Sequence, residues 1–164
     1  MNKERLVEFL DKSELMYLAT CTEGKPHVRC MALIFIEDSI WCCSKSNRIK
    51  VQEIKQNDSI EICILTESKK DLGSIRGNGK AIIITDNKIR KKLSEKIPFF
   101  KAYWESSDDD DFTLIKLEIE NFMFHDPDDK QFYSISYPQE RRKYVPTQSI
   151  GTSKPSVSHL TRGR

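Results

Sequence analysis

Residues 112–120 read Phe-Thr-Leu-Ile-Lys-Leu-Glu-Ile-Glu, a nearly perfect alternation of apolar and polar side chains that marks a half-buried β-strand. Such a strand does not stand alone: its apolar face needs a core, and its backbone groups need neighbouring strands. The remaining chain offers them. Residues 15–20, 28–36, 40–43, 60–65 and 74–85 are β-rich runs, and 131–137 adds a further one. Turn signals separate them: Glu23-Gly24-Lys25-Pro26, Glu37-Asp38-Ser39, and the polar turn Ser68-Lys69-Lys70-Asp71. Gly77 and Gly79 interrupt the 74–85 run, which predicts a bulge or the close approach of another backbone.

Helical signals are few and short. Leu6, Val7, Phe9 and Leu10 recur at helical spacing over residues 3–12. Asn47 is placed to cap a helix over residues 48–56, with Val51 and Ile54 facing inward. Asp86-Asn87 caps another that runs to about residue 97, where Pro98 stops it, and residues 99–104 add a helical turn. Six or seven strands with about three short helices, mostly joined by hairpin-length connections, predict a mainly β protein: an antiparallel, Greek-key barrel rather than an alternating parallel α/β design.

At 164 residues and 38% hydrophobic content, one globular domain suffices. That domain is expected over residues 1–138. Beyond Pro138 the composition turns to Ser, Thr, Pro and basic residues, and residues 139–164 read as a tail that is flexible or docked on a partner subunit. The tail carries net +5, which leaves −3 for the first 138 residues, so the general field of the domain argues against nucleic acid as a partner. No apolar run approaches the ~20 residues of a membrane-spanning helix. The five cysteines form no C-x-x-C pair, and Met1-Asn2-Lys3-Glu4-Arg5 has no apolar leader core. Reduced thiols in the cytoplasm are therefore expected.

Chemistry concentrates between residues 29 and 50. Ile40-Trp41-Cys42-Cys43 runs into Ser44-Lys45-Ser46-Asn47-Arg48-Ile49-Lys50, a strand giving way to a helix start among hydroxyls and cations. Free backbone N–H groups at such a junction, with Ser44, Lys45, Arg48 and Lys50 around them, suit a phosphate. Arg29, set among apolar residues, must pair with a phosphate or a carboxylate. Of Cys42 and Cys43, alternation turns only one toward any site. His27 and Cys30 find no further ligands at usable spacing, so no metal centre is expected. His125-Asp126-Pro127-Asp128-Asp129 reads as a turn, and Trp41 and Trp104 read as packing.

Three motifs resemble the FMN-binding split β-barrel family, which includes the pyridoxamine 5′-phosphate oxidases and the general stress protein 26-like flavoproteins. Gly24-Lys25-Pro26-His27-Val28-Arg29-Cys30-Met31 looks like the family's G-x-P-x-x-R-P-M, with Cys30 in place of proline. Ile40-Trp41-Cys42-Cys43-Ser44-Lys45 is similar to a strand reading W-F-x-T, and Lys50-Val51-Gln52-Glu53-Ile54 with Asn57-Asp58 is similar to K-V-x-x-I and N-P. The resemblance covers roughly residues 6–126.

It implies a homodimer holding FMN at the subunit interface. Arg29, Ser44, Lys50 and, as a further candidate, Lys45 would cradle the phosphate. Backbone groups around Arg29, Cys30, Met31 and Cys43 would meet the flavin edge. The implied activity is hydride or electron transfer between a donor such as NAD(P)H and a small-molecule substrate. A deazaflavin reductase, a flavin- or haem-binding module without turnover, and a true pyridoxamine-phosphate oxidase are the alternatives. The last fits poorly, because Arg141-Arg142-Lys143-Tyr144-Val145-Pro146 lacks the R-x-x-R-x-E-F-W ending of enzymes with that activity.

Overall fold

Two tight turns shape the first half of the molecule. In this computed structural model, which describes residues 3–69 and 71–136, strand β1 (Leu15–Thr22) and strand β2 (Lys25–Ala32) are joined by Glu23 and Gly24 alone. Both have positive φ, 52° and 73°, the type I′ geometry whose twist matches that of the flanking strands. Glu37 and Asp38, at φ 54° and 52°, join β3 (Ile34–Ile36) to β4 (Ser39–Lys45) in the same manner. Lys92 and Lys96 both pair with the Glu37 carboxylate, at 2.8 and 2.6 Å, and so secure this second turn.

The expected run over 28–36 is thus two strands, and the described residues hold eight strands rather than six or seven. The break falls at Leu33, whose N–H leaves the ladder to bond the Glu14 carbonyl at 2.9 Å. The described residues hold three α-helices, α1 (Lys3–Lys12), α2 (Ile49–Gln56) and α3 (Asn87–Ser94), followed by a 3-10 turn at Phe100–Ala102. The expected tail over 139–164, the end of the 131–137 run, and Lys70 lie outside the described residues.

All strand pairs are antiparallel, in the order β2-β1-β5-β6-β7-β4-β3, with β5 at Ser59–Glu67, β6 at Leu72–Ile84 and β7 at Phe112–His125. β8 (Phe132–Ser136) pairs with the far half of β7. The sheet curls until β2 comes into contact with β4, giving the split-barrel architecture.

Inside lie Leu18, Met31, Cys42, Ile62, Ile75, Ile115 and Phe122, closed at one side by Leu6 and Leu10 of α1. Burying those two leucines stabilises the helix by roughly 3–6 kcal/mol before entropy is counted. A second cluster, with Ile34, Trp41, Leu93, Phe100, Trp104 and Phe112, packs on the outer side. It explains why residues 112–115 of β7 are buried on both faces, where alternation predicts only one.

The glycine expectation is met at Gly79. Asn78 faces Asn121 while Gly79 faces Ile119, so Glu120 of β7 is the extra residue of a bulge. A Cβ on Gly79 would collide with the Glu118 carbonyl oxygen, and only glycine permits that approach. Among the described residues, no helix is long and apolar enough to cross a membrane.

Candidate functional site

The inner face of β2, the end of β4 and the first turn of α2 converge at one side of the barrel. Alternation along β2 turns His27, Arg29 and Met31 inward, while Val28 and Cys30 are exposed on the outside. On β4, Ser44 shares the barrel side with Ile40 and Cys42, whereas Cys43 and Lys45 share the other side with Trp41. The chain then turns, with the Arg48 N–H bonding the Lys45 carbonyl at 3.2 Å, and α2 begins. Its N-cap is Arg48 in extended conformation and not Asn47, and no side chain caps the helix. The Val51 N–H bonds back to the Arg48 carbonyl at 2.9 Å, and the Ile49 and Lys50 N–H groups are left to solvent or a ligand.

Arg29 sits in a network that sequence reasoning missed. Its Nη2 donates to Glu53 Oε2 at 2.5 Å, and its Nη1 donates to Thr20 Oγ1 at 2.7 Å. Thr20 in turn donates to Glu53 Oε2 at 2.7 Å, and His27 Nδ1 meets Glu53 Oε1. Glu53 is 5% exposed. Burial pushes its carboxyl pKa up, but the Thr20 and His27 hydrogen bonds and the Arg29 charge more than offset this and hold it below the ordinary value. Of the two partners expected for Arg29, the carboxylate is the one its side chain holds. The available signal was a glutamate beside Val51 and Ile54 on the buried face of α2.

Lys50 is differently placed. It is half-buried, and burial is the largest cause lowering its pKa. Arg29 and Arg48 lower it further. Among the described residues neither Lys50 nor Arg48 has a carboxylate in salt-bridge contact. Of Arg29, Arg48 and Lys50, Arg29 alone has a carboxylate partner among the described residues, Glu53. Burial pushes both cysteine thiols up to about 12, so they are neutral near pH 7.

Arg29 and Lys50 lie within electrostatic reach of each other, whereas Cys43 packs with the outer cluster and the other expected residues are spread around them. Met31 is buried in the core, and Cys30 faces outward. The Ser44 hydroxyl, 5% exposed as a residue, donates to the Lys45 carbonyl at 3.2 Å. Lys45 turns away to Asp111 at 3.3 Å. Trp104 is buried in the outer cluster and donates through Nε1 to the Asp111 carbonyl. Asp126 accepts from Arg5 and from the Asp128 N–H, which makes its segment a turn. Among the described residues, no three His, Cys, Asp or Glu side chains come together as metal ligands.

The sequence profile described as pyridoxamine 5′-phosphate oxidase matches residues 3–126, and so covers the whole site. General stress protein 26 of Bacillus subtilis (strain 168) is 24% identical over 136 residues, spanning 81% of this chain and 94% of that protein. The crystal structure of General Stress Protein 26 from Bacillus anthracis str. Sterne has a TM-score of 0.65 at 20% identity, over 81% of this chain and 98% of that one. A heme binding protein from Mycobacterium smegmatis has a TM-score of 0.66 at 15% identity, over 78% of this chain and 55% of that one. At these identities, the structural likeness speaks for the fold.

Proposed function

The chain belongs to the pyridoxamine 5′-phosphate oxidase family, and on that premise we propose that it is an FMN-binding flavoprotein acting as an oxidoreductase, between a reduced donor such as NAD(P)H and a small-molecule substrate. The observation that carries this reading is Lys50: a half-buried ammonium within electrostatic reach of Arg29 and Arg48, with no carboxylate in salt-bridge contact among the described residues. Such a cluster is unfavourable by itself and becomes favourable around a dianion. A phosphate monoester supplies two charges and three acceptor oxygens to match it.

In this scheme Lys50 acts as a point charge, Arg29 as a planar donor, and the uncapped first turn of α2 adds backbone N–H groups. Ser44 closes the cradle from β4. Lys45, the further candidate, is paired with Asp111 at 3.3 Å and would have to leave that partner to join. Backbone groups of Cys30, Met31 and Cys43 are the candidates for the flavin edge. The ring, when bound, supplies the hydride and electron chemistry. The chain contributes orientation and a positive field.

A second copy of the chain fits the outer sheet face. Leu15, Tyr17, Val28 and Leu65 are 60%, 45%, 66% and 61% exposed there. Tyr17 lies between Cys30 of β2 and Cys63 of β5, so these side chains form one continuous surface. Contiguous apolar exposure of this kind favours self-association.

The test is the visible spectrum of the purified protein, followed by titration with FMN and anaerobic addition of NADH or NADPH. Flavin bands, or uptake of added FMN with quenched fluorescence, are expected, and bleaching by a nicotinamide identifies a reductase. A Soret band with no FMN uptake would move the same cations to haem propionates, the reading that the Mycobacterium smegmatis protein favours. A colourless protein that takes up neither would end both.

A further inference from the structure

We infer that Glu53 is a positioning residue for the phosphate site: through its side-chain length it fixes the Arg29 guanidinium where the cradle needs it. This rests on the phosphate reading above and adds a residue that touches no ligand. Glu53 lies three residues after Lys50 on α2, so one helix carries both the point charge and the group that orients the fork. Its Oε2 takes Arg29 Nη2 at 2.5 Å while Thr20 Oγ1 takes Arg29 Nη1 at 2.7 Å, and Thr20 is itself tied to the same oxygen at 2.7 Å. The guanidinium is thereby held at both terminal nitrogens. A long, flexible arginine left free loses much of its binding energy to ordering, so holding it in advance lowers that cost.

The other carboxylate oxygen is engaged by His27 Nδ1, which prevents Glu53 from swinging. The acceptors at its centre are buried, Thr20 at 2% and Glu53 at 5% exposed, while the Arg29 and His27 side chains reach toward solvent at 20% and 42%. An alternative role for Glu53 is pure charge compensation, which would weaken phosphate binding, because a carboxylate beside the site repels a dianion. The two roles make opposite demands on substitution. Positioning depends on length and on acceptor atoms, while compensation depends on charge.

Glu53→Gln and Glu53→Asp separate them. Gln keeps the length and an acceptor for Arg29 and Thr20 but removes the charge. Asp keeps the charge but withdraws the acceptor by one methylene. The readout is the ratio of FMN to riboflavin affinity by fluorescence titration of the full-length protein. Riboflavin shares the ring and lacks the phosphate, so the ratio is insensitive to general damage.

Positioning predicts that Gln retains the wild-type ratio within about threefold while Asp loses about tenfold of it, the scale of one charge-assisted hydrogen bond. A ratio for Asp equal to wild type, or one for Gln at or below that of Asp, overturns the inference. A ratio raised by Gln and unmoved by Asp assigns Glu53 to charge compensation instead. A wild-type protein that binds both flavins equally would remove the phosphate reading itself, and this inference with it.

Discussion

Lys45 Nζ lies 3.3 Å from Asp111 Oδ2, whereas Lys50, five residues further on, has no carboxylate in salt-bridge contact among the described residues and feels the charges of Arg29 and Arg48. The two lysines look alike in the sequence and differ in what they have left to bind. Replacing Lys45 by Ala removes a pair that is about 40% exposed at each end, and FMN affinity should move by no more than about 1 kcal/mol. Lys50→Ala should cost on the order of 1.5–3 kcal/mol of FMN affinity. Equal losses in a fluorescence titration would mean that Lys45 leaves Asp111 to join the cradle.

The Glu53 carboxyl is held below its ordinary pKa of 4.5 in the folded chain. Its contribution to stability is therefore complete above pH 4.5 and is lost as pH falls from there through the folded-state value. Glu53→Gln should be less stable than wild type at pH 7, and the two should converge on acidification. Denaturant midpoints across that range measure the gap. A gap independent of pH would place the stabilisation in packing and not in charge.

Gly24 and Gly79 are needed for different reasons, and alanine substitution should separate these. At Gly24 the space is open and φ is +73°, so Gly24→Ala carries backbone strain alone, about 1 kcal/mol. At Gly79 the added methyl meets the Glu118 backbone, which has nowhere to go within the bulge. Gly79→Ala should cost more than about 3 kcal/mol, or prevent folding. Thermal or urea unfolding decides, with the order of the two variants as the criterion.

Tyr17→Glu places a charge at the centre of the exposed β1 face, between Cys30 and Cys63. If this face joins two copies, the variant should sediment as a monomer with an unchanged far-ultraviolet circular dichroism spectrum. An unchanged sedimentation coefficient would place the second copy elsewhere or exclude it.

The parts of the fold that were legible in the sequence are those governed by local rules. Asp86 caps α3 as expected, accepting from the Lys88 and Ile89 N–H groups, and the Gly79 interruption is a bulge. Where neighbours decide, the sequence misleads. Asn47 has the right chemistry for a cap, yet the chain turns one residue later and Arg48 takes that position. Helix α3 ends at Ser94 instead of about residue 97, because Lys96 and Ile97 both bond back to the Leu93 carbonyl and close the helix tightly.

At the site, the cations were visible as a run, but their separate fates were not. Asp111 is 66 residues from Lys45 and Glu53 is 24 from Arg29, so only folding reveals which positive charges are already answered. Charge runs report composition. Partnership is a property of three dimensions.

Strand β7 holds β6 along one edge and both β4 and β8 along the other. Translation delivers this organising strand late, after β1 to β6 have left the ribosome. Until it arrives, the apolar sides of β4 and β6 have no lasting cover, and the pairings it completes span long stretches of chain. The nascent protein therefore passes through an interval in which apolar strand faces are exposed and prone to associate. Any fragment ending before Phe112 is an aggregation-prone half-sheet and not a smaller functional unit.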